Sequence, residues 1–283
     1  MKNKLTRSNF LATLTGTATL ILTGSDKKAN ANALSIRADQ PFHRYFPSQD
    51  PELVQEMVVV SHGQIDKVKE LLAAHPELAK ATWDFGFGDW ETALGAASHT
   101  GNKEIAELLM GNGARPDIFT FTMLGNIQAV KAMIDDNPEV QKMKGPHGLT
   151  LLAHAKTRLA AKSISDIDRL KAKAMVEYLT ALGDADMKAV GLEISDEDKK
   201  LLIGQFRFGE GTDDVFLIDV NDKGMLYIRK NGQRFERPLL RVEENGFAPL
   251  GAPHVKILFE IKDQLATVLS IHDPAPIVKA LRQ

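Results

Sequence analysis

Cysteine is absent from the 283 residues of the chain. Its absence excludes disulfides, thiolate metal sites, a cysteine nucleophile and a lipoprotein anchor on cysteine. Exported proteins without disulfides exist, so the absence leaves the compartment open. Net charge is also small, formally −2, so no global field draws the chain to nucleic acid or to an anionic membrane.

Known catalytic and cofactor-binding motifs are missing as well. The sequence has no Walker loop, dinucleotide fingerprint or His-Glu-x-x-His. Gly-x-Ser-x-Gly is absent, and Ser-x-x-Lys does not occur after residue 33. Residues 85–88 are rich in glycine but lack the lysine and the following helix of a phosphate site. We therefore predict no catalytic residue, no metal and no cofactor, and a protein that is not an enzyme.

An apolar segment near the N-terminus, residues 10–22, is too short for the roughly 20 residues of a membrane-spanning helix. Basic residues precede it, and the small residues 29–33 follow it. This order is typical of a secretory signal peptide. We predict cleavage after Ala33, with Ala31 as the alternative.

The export route stays open, because residues 6–11 resemble a twin-arginine signal in which Ser8 replaces the second arginine. The prediction is thus a signal peptide over residues 1–33 and a polar linker over residues 34–50. The mature protein is expected to be periplasmic or secreted, without stable insertion in a membrane.

Residues 92–114 have the pattern of two short antiparallel helices. Thr92 opens a run of small residues, residues 99–102 form a glycine-containing turn, and apolar residues then recur at helical spacing. The run Thr92-Ala93-Leu94-Gly95-Ala96-Ala97 resembles the Thr-Pro-Leu-His-x-Ala of an ankyrin repeat in its threonine, leucine and last alanine.

The same template fits three further segments, which begin near residues 51, 119 and 148. Two short segments of the chain are similar to each other: residues 75–78 are His-Pro-Glu-Leu and residues 137–140 are Asn-Pro-Glu-Val. This similarity indicates an internal repeat without reference to any family. In the last unit the link between the helices, residues 156–168, is long, so an extended first helix or an inserted loop is expected. The resemblance implies an ankyrin-type helical solenoid of about four repeats over residues 51–190.

After residue 198 the hydrophobic period changes from 3.6 to 2, which predicts strands. Seven or so short strands, with hairpin turns such as Asn231-Gly232, predict a small antiparallel β-barrel or sandwich over residues 198–283. A pattern of packing and turn residues resembles the lipocalin-like barrel domain found behind bacterial serine hydrolases of the β-lactamase type. It comprises Gly204, Phe206, Phe208, Gly224, Leu226, Ile228, Pro238, Leu239, Phe247, Phe259 and Asp263. The predicted fold class is α+β in two domains.

Both tryptophans of the chain lie in residues 83–90, which ankyrin repeats would place in a protruding finger. Exposed aromatic side chains are common anchors for a protein partner. The candidate partner-binding residues are Trp83, Phe85, Phe87, Trp90, Phe119 and Phe121. The alternative is that the tryptophans pack beneath the finger or against the barrel.

Two histidines, His62 and His99, recur at the turn between the helices of the first two units. Stacked helices lie roughly 10 Å apart, so these side chains are expected about one repeat from each other. They are interpreted as turn residues rather than metal ligands. His154, within a helix of the fourth unit, receives no predicted role.

The function that these patterns favour is an exported, non-catalytic ankyrin-repeat scaffold that binds a protein partner of unknown identity. One alternative is a protein that holds a small apolar ligand in the barrel, which is disfavoured because small barrels are usually filled by side chains. Others are an accessory subunit of an exported enzyme, or an enzyme with an unrecognised site between the domains.

Overall fold

The computed structural model describes residues 44–187 and 189–283 of the chain. Residues Tyr45–Gln283 form one compact unit that contains both helices and strands. The α+β class is confirmed by nine α-helices and a closed antiparallel barrel within the described residues. The predicted signal peptide, its cleavage near Ala33 and most of the predicted linker lie outside them.

The first eight helices follow one another as four antiparallel pairs, close to the predicted positions. They are α1 (Pro51–Val60) and α2 (Ile65–Ala74), α3 (Ala93–His99) and α4 (Lys103–Gly111), α5 (Ile118–Met123) and α6 (Ile127–Asp136), and α7 (Leu151–Leu159) and α8 (Asp166–Leu182). In the fourth pair α7 reaches Leu159, four residues into the predicted link, and a loop over residues 160–165 follows it, so both expected features occur.

The first helices of the pairs, α1, α3, α5 and α7, pack side by side in one row. Buried alanines such as Ala93, Ala96 and Ala97 allow the helices to approach closely. Threonines begin two of these helices: the Thr92 hydroxyl accepts a hydrogen bond from Gly95 N at 2.8 Å, and that of Thr150 accepts one from Ala153 N at 3.2 Å. Such N-caps each contribute about 1 kcal/mol.

A β-finger protrudes between the first two helix pairs. It consists of β1 (Thr82–Asp84) and β2 (Trp90–Thr92), which pair antiparallel with Trp83 opposite Glu91. Side chains alternate between the two faces of a strand. Glu91 is therefore buried while its neighbours Trp90 and Thr92 are exposed.

Eight strands close into an antiparallel barrel in the order β10-β3-β4-β5-β6-β7-β8-β9. The strands are β3 (Gly204–Arg207), β4 (Val215–Val220), β5 (Leu226–Lys230), β6 (Arg237–Glu243), β7 (Gly246–Pro249), β8 (Lys256–Lys262), β9 (Leu265–Asp273) and β10 (Ala275–Arg282). Of the two predicted forms, barrel and sandwich, the barrel is confirmed. Buried side chains, including Phe206, Phe247 and Phe259, form its core.

A helix that the sequence does not predict, α9 (Asp196–Leu202), precedes the barrel. The side chain of its N-cap residue, Ser195, accepts a hydrogen bond from Asp198 N. Three acidic residues in the first turn stabilise the helix, because negative charge interacts favourably with the positive end of the helix dipole. Leu202 at its end is buried in the barrel core. Among the helices that the structure describes, none combines the length and the hydropathy of a transmembrane span.

Candidate metal centre

Four side chains converge where the finger meets the helix pairs. They are His62, Glu91, His99 and His147, and their ligand atoms all lie within 4.8 Å of one another. We refer to them as the His3Glu cluster. His62 follows α1, Glu91 lies in β2, His99 ends α3, and His147 lies in the loop before α7, so segments far apart in sequence build the cluster.

Glu91 lies at the centre of the cluster and is fully buried, with 0% of the residue exposed. Its Oε2 is 3.4 Å from His62 Nε2 and 3.5 Å from His147 Nε2. Its Oε1 is 2.8 Å from His99 Nδ1, but the alignment of these two atoms does not make a hydrogen bond. Within the described residues, both Glu91 oxygens and His99 Nδ1 have no hydrogen-bond partner. A buried carboxylate is costly unless positive charge balances it, and a metal cation at this point would do so.

Neighbouring groups orient the imidazole of His62 as a metal ligand. His62 Nδ1 lies 3.0 Å from Val59 O and 3.2 Å from Val58 O. A carbonyl oxygen only accepts, so Nδ1 carries the proton and donates it. The lone pair of Nε2 therefore faces the cluster, next to Glu91.

The imidazole of His147 is held in the same sense by a carboxylate. Its Nδ1 is 2.7 Å from Asp89 Oδ2, and its backbone N–H donates to Asp89 Oδ1 at 2.8 Å. Its Nε2 faces Glu91. A carboxylate that holds the far nitrogen of a ligating histidine is a recurring arrangement in zinc sites, where it fixes the ring and raises its basicity.

Asp89 is in turn fixed by the barrel. It is 4% exposed and forms an ion pair with Arg237 of β6, which is 8% exposed. A second nitrogen of the same guanidinium donates to Phe85 O at 3.0 Å. The barrel thus supports the cluster through Arg237 and Asp89, although none of the four candidate ligands belongs to a barrel strand.

The backbone of His147 adopts a left-handed conformation, with φ at 59°. This region is unfavourable for residues other than glycine, by roughly 1–3 kcal/mol, and such residues concentrate at functional sites. The two hydrogen bonds from His147 to Asp89 hold the conformation in place.

The electrostatics of the cluster show how tightly its charges are matched. Burial raises the pKa of Glu91, but the imidazoles of His147 and His99 outweigh burial and hold that pKa at about 2. Burial lowers the pKa of His147, but Asp89 and Glu91 raise it to about 9. Burial lowers the pKa of His62. Without a metal, a proton on His147 therefore balances the buried Glu91, and a metal ion would replace that proton.

Two distances in the cluster match the spacing of ligand atoms around a four-coordinate ion, while the 2.8 Å from Glu91 Oε1 to His99 Nδ1 is shorter. Metal–ligand bonds of about 2.0–2.1 Å at tetrahedral angles separate neighbouring ligand atoms by about 3.3–3.4 Å. The distances from Glu91 Oε2 to the two Nε2 atoms, 3.4 and 3.5 Å, lie close to that edge. Three imidazoles and a carboxylate are ligands that zinc, copper, iron and nickel accept. The residues present therefore fit a divalent transition-metal ion.

A fourth histidine lies beside the cluster without joining it. The His154 ring centroid is 6.5 Å from that of His99, and its Nδ1 is 2.8 Å from Thr150 O. Its Nε2 has no hydrogen-bond partner in the described chain. Burial lowers the pKa of His154 to about 4, so the ring is neutral at physiological pH.

The aromatic residues predicted as a partner-binding surface have separate environments. Trp83 and Phe85 pack against the core of the first helix pairs, and Phe87 packs against the barrel core. Phe119 is buried, and Phe121 packs partly buried against the same core. Trp90 remains 61% exposed and lines a cavity of about 300 Å³ together with Phe119. Trp83 and Phe85 line a second cleft together, so the six residues form two separate pairs and two single residues rather than one surface.

None of the four cluster residues is predicted as a ligand from the sequence. The expected separation of roughly 10 Å between His62 and His99 is wrong, since their ring centroids are 4.8 Å apart. A signal was present: the dipeptide Ser-His recurs at Ser61-His62 and Ser98-His99, at the end of the first helix in two successive units. Stacked repeats bring such equivalent positions next to each other.

Comparison with protein families, curated proteins and solved structures gives no match to this chain.

Proposed function

We propose that the protein binds one divalent transition-metal ion at the His3Glu cluster, and that zinc is the ion that this ligand set suits best. The observation that carries this proposal is the buried Glu91 carboxylate, whose two oxygens face three imidazole nitrogens without a hydrogen bond. Zinc has no preference for square-planar geometry, unlike Cu²⁺, and it suits a tetrahedral N3O ligand set.

The role of the ion is proposed to be structural rather than catalytic. Four protein ligands complete a tetrahedron and leave no position for an activated water, whereas catalytic zinc sites keep one position open. The ion would join the turn after α1, the end of α3, the finger and the loop before α7. Because the unfolded chain does not hold this arrangement, binding would stabilise the folded state.

Calorimetry with untagged protein, stripped of metal by a chelator, tests the proposal. We expect one zinc ion per chain and release of about one proton at pH 7.5, because zinc displaces the proton of His147, whose pKa is about 9. The matched control is His254→Ala, which removes an exposed histidine of the barrel and leaves the stoichiometry unchanged. Absence of binding, or a stoichiometry that falls in the control, would contradict the site.

We further propose that the four helix pairs are an ankyrin-type stack, and that the barrel is a lipocalin-like accessory domain. Support for the first comes from the side-by-side row of α1, α3, α5 and α7. Closure of the barrel by eight strands supports the second. We also propose that the protein is exported to the periplasm or the medium. The support is the succession of basic, apolar and small residues at the N-terminus, which is typical of a signal peptide.

A second candidate function is the binding of a protein partner, favoured by the exposed Trp90 beside the cavity that Phe119 lines. Tryptophan at such a place is a frequent anchor. Capture from a periplasmic extract by the mature chain should recover a partner that Trp90→Ala releases, with Trp83→Phe as the control. A partner that Trp90→Ala retains equally would remove Trp90 from the interface.

A further inference from the structure

A cleft of about 710 Å³ opens between α1, the finger and the turn that joins β5 to β6. None of its lining residues belongs to the His3Glu cluster, so it is a separate site. Its volume lies in the range of about 300–1,000 Å³ that is usual for small-molecule sites.

Three aromatic side chains, Trp83, Phe85 and Phe235, line the cleft together with Val59 and Val60. The rings of Phe85 and Phe235 are perpendicular, with centroids 5.2 Å apart, so they make a corner with two walls. Phe235 is 42% exposed, on a turn where an apolar ring has no role in the core. The aromatic faces suit a ligand with apolar C–H faces.

One face of α1 forms the opposite wall. Glu52, Gln55, Glu56 and Val59 line the cleft and recur at i, i+3, i+4 and i+7, which places them on one side of the helix. The wall therefore presents two carboxylates and an amide to the aromatic corner. The charge of Glu56 is partly balanced by Lys67, whose Nζ lies 3.4 Å from the Glu56 carboxylate.

The remaining polar lining mixes donors with acceptors. Gln64 and Gln233 add two amides, which both donate and accept, Arg234 adds donors, and Asp84 adds acceptors. An organic cation would use only the acceptors, and an anion only the donors. A ligand that matches both, and also has apolar faces for the rings, is a polyhydroxylated ring.

We propose that this cleft binds a saccharide. Pairs of adjacent hydroxyls on a sugar ring donate to one oxygen and accept from one nitrogen of a planar amide, or donate twice to a carboxylate. The C–H face of the same ring packs on Trp83 or on the corner of Phe85 and Phe235. The volume of the cleft has room for more than one sugar ring.

Tryptophan fluorescence gives a direct test, because the chain has two tryptophans and only Trp83 lines the cleft. In Trp90→Phe, Trp83 is the sole reporter. We expect maltose, cellobiose or N,N′-diacetylchitobiose to change its emission saturably, with a Kd below about 10 mM. Gln55→Ala and Phe235→Ala should each weaken that binding about tenfold or more. The reverse variant, Trp83→Phe, reports from Trp90 and should not respond.

Two outcomes would overturn the proposal: no response of Trp83 to any of the three disaccharides, or a stronger response to putrescine, which would indicate a site for organic cations. Repeating the titration in Trp90→Phe/Glu91→Gln separates this site from the metal centre. Retained binding there shows that the saccharide does not depend on a bound metal ion. Loss of binding in that variant would overturn the proposal of a separate site.

Discussion

Glu91→Gln is expected to weaken zinc binding by more than about 100-fold while the fold persists. Glutamine has the shape of glutamate, so the packing around the buried side chain is kept. The substitution removes the only anionic ligand of the His3Glu cluster and replaces it with a neutral amide, a much poorer zinc ligand. This loss of zinc affinity is larger than the 10–100-fold loss that typically follows a change in a residue that only holds a ligand in place.

Competition with a chromophoric zinc chelator measures this affinity over the required range. The matched control is Glu104→Gln, an exposed glutamate of α4 that lies 3.8 Å from Lys69 Nζ and outside the cluster. It should bind zinc as the unmodified protein does. If Glu91→Gln binds zinc as tightly as the control, the His3Glu cluster is not the zinc site, whatever the stoichiometry.

The finger explains why the fold was more predictable from the sequence than the site. Apolar periodicity and the turn residues predict the eight paired helices and most strands of the barrel, because burial of one face is a local signal. The inward position of Glu91 depends on the register of β1 with β2, which no periodicity in six residues reveals. The left-handed φ of His147 is equally invisible, since it is maintained by contacts with Asp89, 58 residues earlier.

Two differences in the barrel have the same origin. The seven residues of α9 were too few to show a helical period, and their acidic start is typical of a solvated loop. The last strand, β10, is the eighth where about seven were predicted, and it closes the barrel by pairing with both β9 and β3. Closure is a long-range property, so the sequence predicts hairpins more readily than the strand that joins first to last.

Arg237→Met is expected to lower the free energy of unfolding by about 3–5 kcal/mol, because it leaves Asp89 buried without its guanidinium partner. Methionine retains much of the apolar volume, so the loss comes mainly from the charge and from the hydrogen bond to Phe85 O. Zinc affinity should also fall, by about 10–100-fold, since Asp89 then holds His147 less firmly. Arg234→Met, three residues earlier and exposed, is the control and should change stability by less than about 0.5 kcal/mol.

Denaturant unfolding of the metal-free protein measures both the size and the origin of this effect. A double-mutant cycle with Asp89→Asn should be less than additive, because the second change removes the charge that the first leaves unpaired. The helical core and the barrel core are separate clusters, and the finger joins them through Phe85, Phe87 and the pair of Asp89 with Arg237. Loss of that pair should therefore split a single unfolding transition into two. If the two changes in free energy of unfolding are strictly additive and the helices and the barrel still unfold in one transition, other contacts hold the barrel to the helices. The metal centre would then not depend on the pair of Asp89 with Arg237.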